Sequence, residues 1–81
     1  MSKRIGVIGI VVESPDKAGQ NVHNIISQYS DIVVGRMGIP YRQREVSVIS
    51  LIVEGTTDEI GALTGKLGGM RGVTVKSALT K

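Results

Sequence analysis

The densest chemistry in the chain lies in ten residues that hold Gly35, Arg36, Gly38, Arg42 and Arg44. A guanidinium presents planar, paired donors that match a carboxylate or a phosphate. Glycine lets backbone amides approach the same anion closely. These five residues are the candidate ligand site, and the ligand they suit is a small anion. The same segment also reads as a basic strand and turn of the kind that discourages pairing at a sheet edge.

Catalytic chemistry finds little footing. Ser14, Ser27, Ser30, Ser47, Ser50 and Ser77 lack a histidine–acid partnership, and no pair of carboxylates is spaced for acid–base work. The chain has no cysteine, which removes thiol nucleophiles, disulfides and zinc knuckles. His23 is the sole histidine. At ~100° per residue it falls roughly 115° from the centre of its helix's apolar stripe, so it reads as a solvent-facing side chain. A metal there would need a second copy's His23 across an oligomer axis. The run Gly68-Gly69-Met70-Arg71-Gly72 has the glycines of a phosphate loop, but it follows a helix and lacks the lysine–hydroxyl pair, so it reads as a helix stop. No catalytic residue, metal or cofactor is expected.

Six elements must position these side chains. Residues 4–13 are rich in β-branched side chains and end at Ser14-Pro15, which marks a strand followed by a helix start with Ser14 as cap. Ala18, Val22, Ile25, Ile26 and Tyr29 recur at helical spacing. Residues 32–39 predict a second strand stopped by Pro40, 41–45 a polar turn, and 46–54 a third strand. Thr56 and Glu59 have capping-box spacing ahead of a helix whose buried stripe is Ile60, Leu63 and Leu67. Gly68-Gly69 ends that helix, and residues 73–79 make the last strand. The order β-α-β-β-α-β closes most naturally as one ferredoxin-like α+β domain over residues 1–81, an antiparallel sheet of order 4-1-3-2 with both helices on one face.

At 81 residues, with 41% hydrophobic residues and a net charge of +3, the chain can build a core, though a thin one. A domain of this size buries only ~60–65% of its unfolded surface. Tyr29 and Tyr41 are its only aromatics, too few for a stacking platform on single strands. No apolar run approaches the ~20 residues of a membrane span, and the opening residues do not resemble a signal peptide. A cytoplasmic protein without a membrane partner is the expectation.

The two central strands carry more oil than one core needs. The first has Ile5, Val7 and Val11 on one face and Ile8, Ile10 and Val12 on the other; the third has Ile49, Leu51 and Val53 opposite Val46, Val48 and Ile52. One aliphatic set must therefore turn away from the helices. Leaving six such side chains in water forfeits on the order of 10 kcal/mol. Ile8, Ile10, Val12, Val46, Val48 and Ile52 are the expected oligomer interface, covered by a second copy. In the second helix Gly61, Gly65 and Gly68 share a flank, which suits close approach of another backbone.

The block I-G-A-L-T-G-K-L-G-G-M-R-G-V-T-V-K from Ile60 to Lys76, with G-R-M-G-I-P-Y-R from Gly35 to Arg42, resembles a small bacterial family of iron-only hydrogenase system regulators. The resemblance implies an ACT-like fold similar to the C-terminal domain of nickel-responsive regulators, an oligomer and a regulatory role without enzymatic activity. It does not carry over the nickel site, which needs several histidines and a cysteine. Residue chemistry and resemblance together predict a non-enzymatic sensing module. It would be a dimer or tetramer joined through the sheet face, an edge strand or both, with a small anion at a subunit interface. The rival readings are a DNA-associated transcription regulator using the oligomer's basic surface, whose affinity would fall steeply with salt, and a structural adaptor for a hydrogenase maturation protein.

Overall fold

The structure, a computed structural model, describes residues 2–81. Its elements are β1 (Arg4–Val12), α1 (Pro15–Gln28), β2 (Val33–Tyr41), a single 3-10 turn (Arg42–Arg44), β3 (Val46–Gly55), α2 (Thr57–Gly68) and β4 (Val73–Leu79). All neighbouring strands run antiparallel, in the order β2-β3-β1-β4. This is the expected ferredoxin-like closure.

Burial follows the pleat. Ile8, Ile10 and Val12 of β1 lie beside Ile49, Leu51 and Val53 of β3 in the core, where Val22 and Ile26 of α1 and Ile60, Leu63 and Leu67 of α2 close over them. Ala18, Ile25 and Tyr29 pack at the margin of that core, completing the α1 stripe that the spacing predicts. Three members of the expected interface are thereby corrected: Ile8, Ile10 and Val12 are buried beneath the helices, and the face of β1 left open carries Ile5, Val7 and Val11. Val46, Val48 and Ile52 do lie on the open side of β3, as their pairing with Tyr41, Val11 and Val7 requires.

The helix starts differ. Thr56 accepts from the Glu59 N–H at 3.1 Å, and the Glu59 carboxylate accepts from the Thr56 N–H at 2.8 Å, so the capping box is formed. Ser14 occupies the cap position of α1, yet its side chain makes no cap hydrogen bond. Its carbonyl instead accepts from the N–H groups of Lys17 and Ala18. Pro15 at the first helical position has no N–H to satisfy, which lightens the demand on the cap.

β2 runs through Pro40 to Tyr41 instead of stopping short of it. It is an edge strand with one side of its backbone unpaired, so a residue without an N–H is accommodated. A register shift between Val33 and Gly35 leaves Val34 outside the pairing. At the other edge β4 approaches β1 so closely that a Cβ on Gly6 would lie 2.6 Å from Leu79 Cδ2 and 2.9 Å from the Ala78 carbonyl oxygen. Glycine is needed there for space.

Candidate functional site

The side of the sheet away from the helices is apolar over three of its four strands. Side chains at alternate positions of a strand share a face, and the register fixes which. Ile52 of β3 pairs with Val7 of β1 and Gly35 of β2; Val48 pairs with Val11 and Ile39; Val46 pairs with Tyr41. Between the Ile52 and Val48 rows, Ser50 sits between Gly9 and Met37, so the middle row is small on β1 and β3 and apolar again on β2. Ile5, Val7, Met37, Ile39, Tyr41, Val48 and Ile52 are exposed by 38–63%. The face changes character at β4, which contributes Thr74, Lys76 and Ala78 opposite Val11, Gly9 and Val7.

Sequence reasoning found the β3 part of this surface, chose the opposite face of β1, and missed Met37, Ile39 and Tyr41. Their i, i+2, i+4 spacing is the signature of one strand face. Ending the strand at Pro40 cuts Tyr41 from that series.

The five candidate anion ligands do not converge. Gly35 pairs with Ile52 and lies on the open side, whereas Arg36 and Gly38 pair with Leu51 and Ile49 on the helix side. Arg36 is in hydrogen-bond contact with Nδ1 of His23 on α1. Arg42 lines a cavity of about 610 Å³ with Glu13, Ser14, Asp16, Lys17 and Ser47, between the start of α1 and the start of β3. Arg44 lines another, of about 590 Å³, with Val11, Glu13, Tyr41, Glu45, Val46 and Val48 at the end of the open face. Two things separate the arginines. Strand alternation divides residue 35 from 36 and 38, and the 3-10 turn sends 42 and 44 into different cavities. Glu45 closes that turn in the left-handed conformation, φ 56°, with its N–H donating to the Arg42 carbonyl at 3.1 Å. For a side chain other than glycine that conformation is uncommon. Glu13 and Glu45 line both cavities, so each guanidinium shares its space with carboxylates.

The environment of Glu59 moves its carboxyl clearly. The Thr56 N–H, then the Thr56 side chain and the charge of Lys3, hold its carboxyl below the usual carboxylate range. That is the electrostatic mark of a helix cap. Among the described residues no three of His, Asp and Glu gather as metal ligands, and no helix is long and apolar enough to cross a membrane.

The chain was compared with known families and structures. A family model, TM1266-like, described as "Iron-only hydrogenase system regulator, putative", matches residues 4–77. Uncharacterized protein TM1266 from Thermotoga maritima is 38% identical, with a TM-score of 0.94 over 99% of this chain and 100% of that one. The ACT domain from GTP pyrophosphokinase of Chlorobium tepidum has a TM-score of 0.77 at 22% identity, covering 96% of this chain and 89% of that domain. The C-terminal domain of the MgtC protein from Mycobacterium tuberculosis has a TM-score of 0.74 at 15% identity, covering 95% and 87%. These last two share the fold, which is ACT-like. No match is found among curated proteins.

Proposed function

Because the chain belongs to the TM1266-like family of iron-only hydrogenase system regulators, we propose that it is a non-catalytic regulatory module that works as a homo-oligomer. In this reading two copies join through the open face of the sheet and respond to a small ligand held between them. The observation that carries the reading is the apolar face itself. Its seven exposed apolar side chains lie on one face of three adjacent strands, unlike the singly scattered hydrophobes normal on a monomer. A standard interface covers ~800 Å² per partner, with a polar rim around such a patch.

The rim supports a second copy over a lipid surface as the occupant. Glu54 lies at one end of the face, Glu13, Arg44 and Glu45 at the other, and Lys76 along the β4 side. Anionic lipid would be repelled by three of these five charges, whereas a two-fold partner presents both signs to both signs. The thin core of so short a chain points the same way, since small scaffolds without disulfides or metals gain stability by association. The cavity beside Arg44 opens at the end of this face, where a second copy would wall it. An anionic group on the ligand would lie against the guanidinium, and the ligand's apolar part against Val11, Tyr41, Val46 and Val48.

Sedimentation velocity at low micromolar concentration tests the reading. The expected result is a mass of two chains or a multiple of two, reduced to one chain in Ile52→Glu with an unchanged far-UV spectrum. A wild-type chain that sediments as a stable monomer overturns it.

A further inference from the structure

On the opposite side of the sheet, α1 and β2 diverge and leave a cleft of about 290 Å³ lined by His23, Gly38, Ile39, Pro40, Ser47 and Ile49. The floor is buried Ile49. The strip of β2 above it is kept low by Gly38, where a Cβ would find only Ile49 Cγ1 at 3.8 Å. At the rim Arg36 of β2 and His23 of α1 are in contact, guanidinium to Nδ1. Arginine only donates, so in this contact Nδ1 is the acceptor.

From this arrangement we infer that the α1–β2 cleft binds a small oxyanion with an apolar body, clamped between Arg36 and a protonated His23. Two groups that both favour oxyanions face each other from different elements and are in contact. That contact is a compromise. It engages the guanidinium with a neutral nitrogen, and it is lost when His23 takes up a proton and the two become like charges. An oxyanion between them converts the repulsion into two charge-assisted hydrogen bonds. Its apolar body lies along Gly38 and Pro40 over Ile49, which accounts for a cleft that is apolar below a cationic rim.

Anion binding is therefore coupled to proton uptake at one identified nitrogen, and affinity rises as pH falls. The surroundings of His23 keep that coupling simple. One turn away on α1 stand Gly19, Gln20, Ile26 and Ser27, all uncharged, and Gln20 is paired with Asn24. β3 presents Ser47 and Ile49. Among the described residues lining or touching the group, Arg36 is the charge it faces. Histidine is the side chain whose charge changes most readily between pH 5 and 8. The site goes beyond the proposed pairing of sheets and stands apart from it, because Arg36 and Gly38 point to the helix side.

The test uses the full chain, isotopically labelled, titrated with sodium benzoate or with inorganic phosphate and followed by NMR at pH 5.5 and pH 8. The expected result is saturable shifts at His23, Gly38 and Ile39 with at least one probe, and at least tenfold tighter binding at pH 5.5. Response to benzoate identifies a carboxylate head group and response to phosphate a phosphoryl one; either supports the site. Arg36→Gln should weaken binding more than tenfold, and His23→Gln should remove the pH dependence. Both side chains are exposed, so both variants should fold. The same titration in Ile52→Glu should give the same shifts, which separates failure of the cleft from failure of the sheet pairing. Absence of saturable shifts at these residues with both probes overturns the inference. So does wild-type affinity in Arg36→Gln, or equal wild-type affinity at the two pH values.

Discussion

Leu51 and Ile52 are neighbours on β3, alike in size and opposite in surroundings. Leu51 has no exposed surface, while Ile52 keeps 48% of its own. The same contrast runs along β1, where Ile8 and Ile10 are sealed and Ile5 and Val7 remain more than two-fifths exposed. One strand pair thus faces a finished core on one side and an apolar surface without cover on the other. Hydrophobic composition specifies that the residues want burial; only the placement of the helices decides which set obtains it within the chain.

The largest expected effect comes from that pair. Leu51→Ala should cost about 2–5 kcal/mol, the range for emptying a packed core site, seen as a large drop in the midpoint of thermal unfolding. Ile52→Ala should cost a small fraction of that in dilute protein and more as concentration rises. A concentration-independent cost at both positions would erase the distinction between the faces. Gly6→Ala comes next, because its methyl would overlap Leu79 and the Ala78 carbonyl. Overpacking of this kind costs about 1–3 kcal/mol, and protection of the β1–β4 amides from hydrogen exchange should fall first.

Smaller effects lie at the helices. Thr56→Ala should cost about 1 kcal/mol through loss of the cap, measured by urea denaturation. Acid should mimic part of it. The Glu59 carboxyl is lowered in the folded chain, by the Thr56 N–H above all. Its contribution is thus fully present above the unfolded-state value and is lost as pH falls through the lower folded-state one. The first turn of α2 should fray on acidification, read by amide exchange at Ile60, and Glu59→Gln should flatten that pH response. Last, Gly65→Ala should stabilise α2 by up to ~1 kcal/mol, since a Cβ there meets nothing within 4 Å. A loss instead would place a second copy against the outer flank of α2.

Local chemistry made most of the fold legible. The Thr56–Glu59 spacing marks the start of α2 and Val73-Thr74-Val75 marks the start of β4, because caps and strand periodicity act within a few residues. The facing of β1 and β3 depends on distant partners, and both of their faces are aliphatic. A tie-breaker does exist. The sets Ile8-Ile10-Val12 and Ile49-Leu51-Val53 are unbroken, whereas Gly9, Ser50 and Glu54 interrupt the open side. Pro40 misled for a similar reason, since its tolerance depends on β2 being an edge, which pairing far along the chain decides. The arginine cluster was dense along the chain and dispersed in space, because pleat and turn send successive residues to different places.

The irregular, proline-bearing outer strand has a consequence for pairing at the sheet edge. With Val34 pushed out of register and Pro40 near its end, β2 offers a poor template for a newcomer's backbone. Lateral joining through β4 would therefore terminate after one addition, with a blunt strand at each extremity. Edge-to-edge growth of a continuous ribbon through β2 is thereby disfavoured.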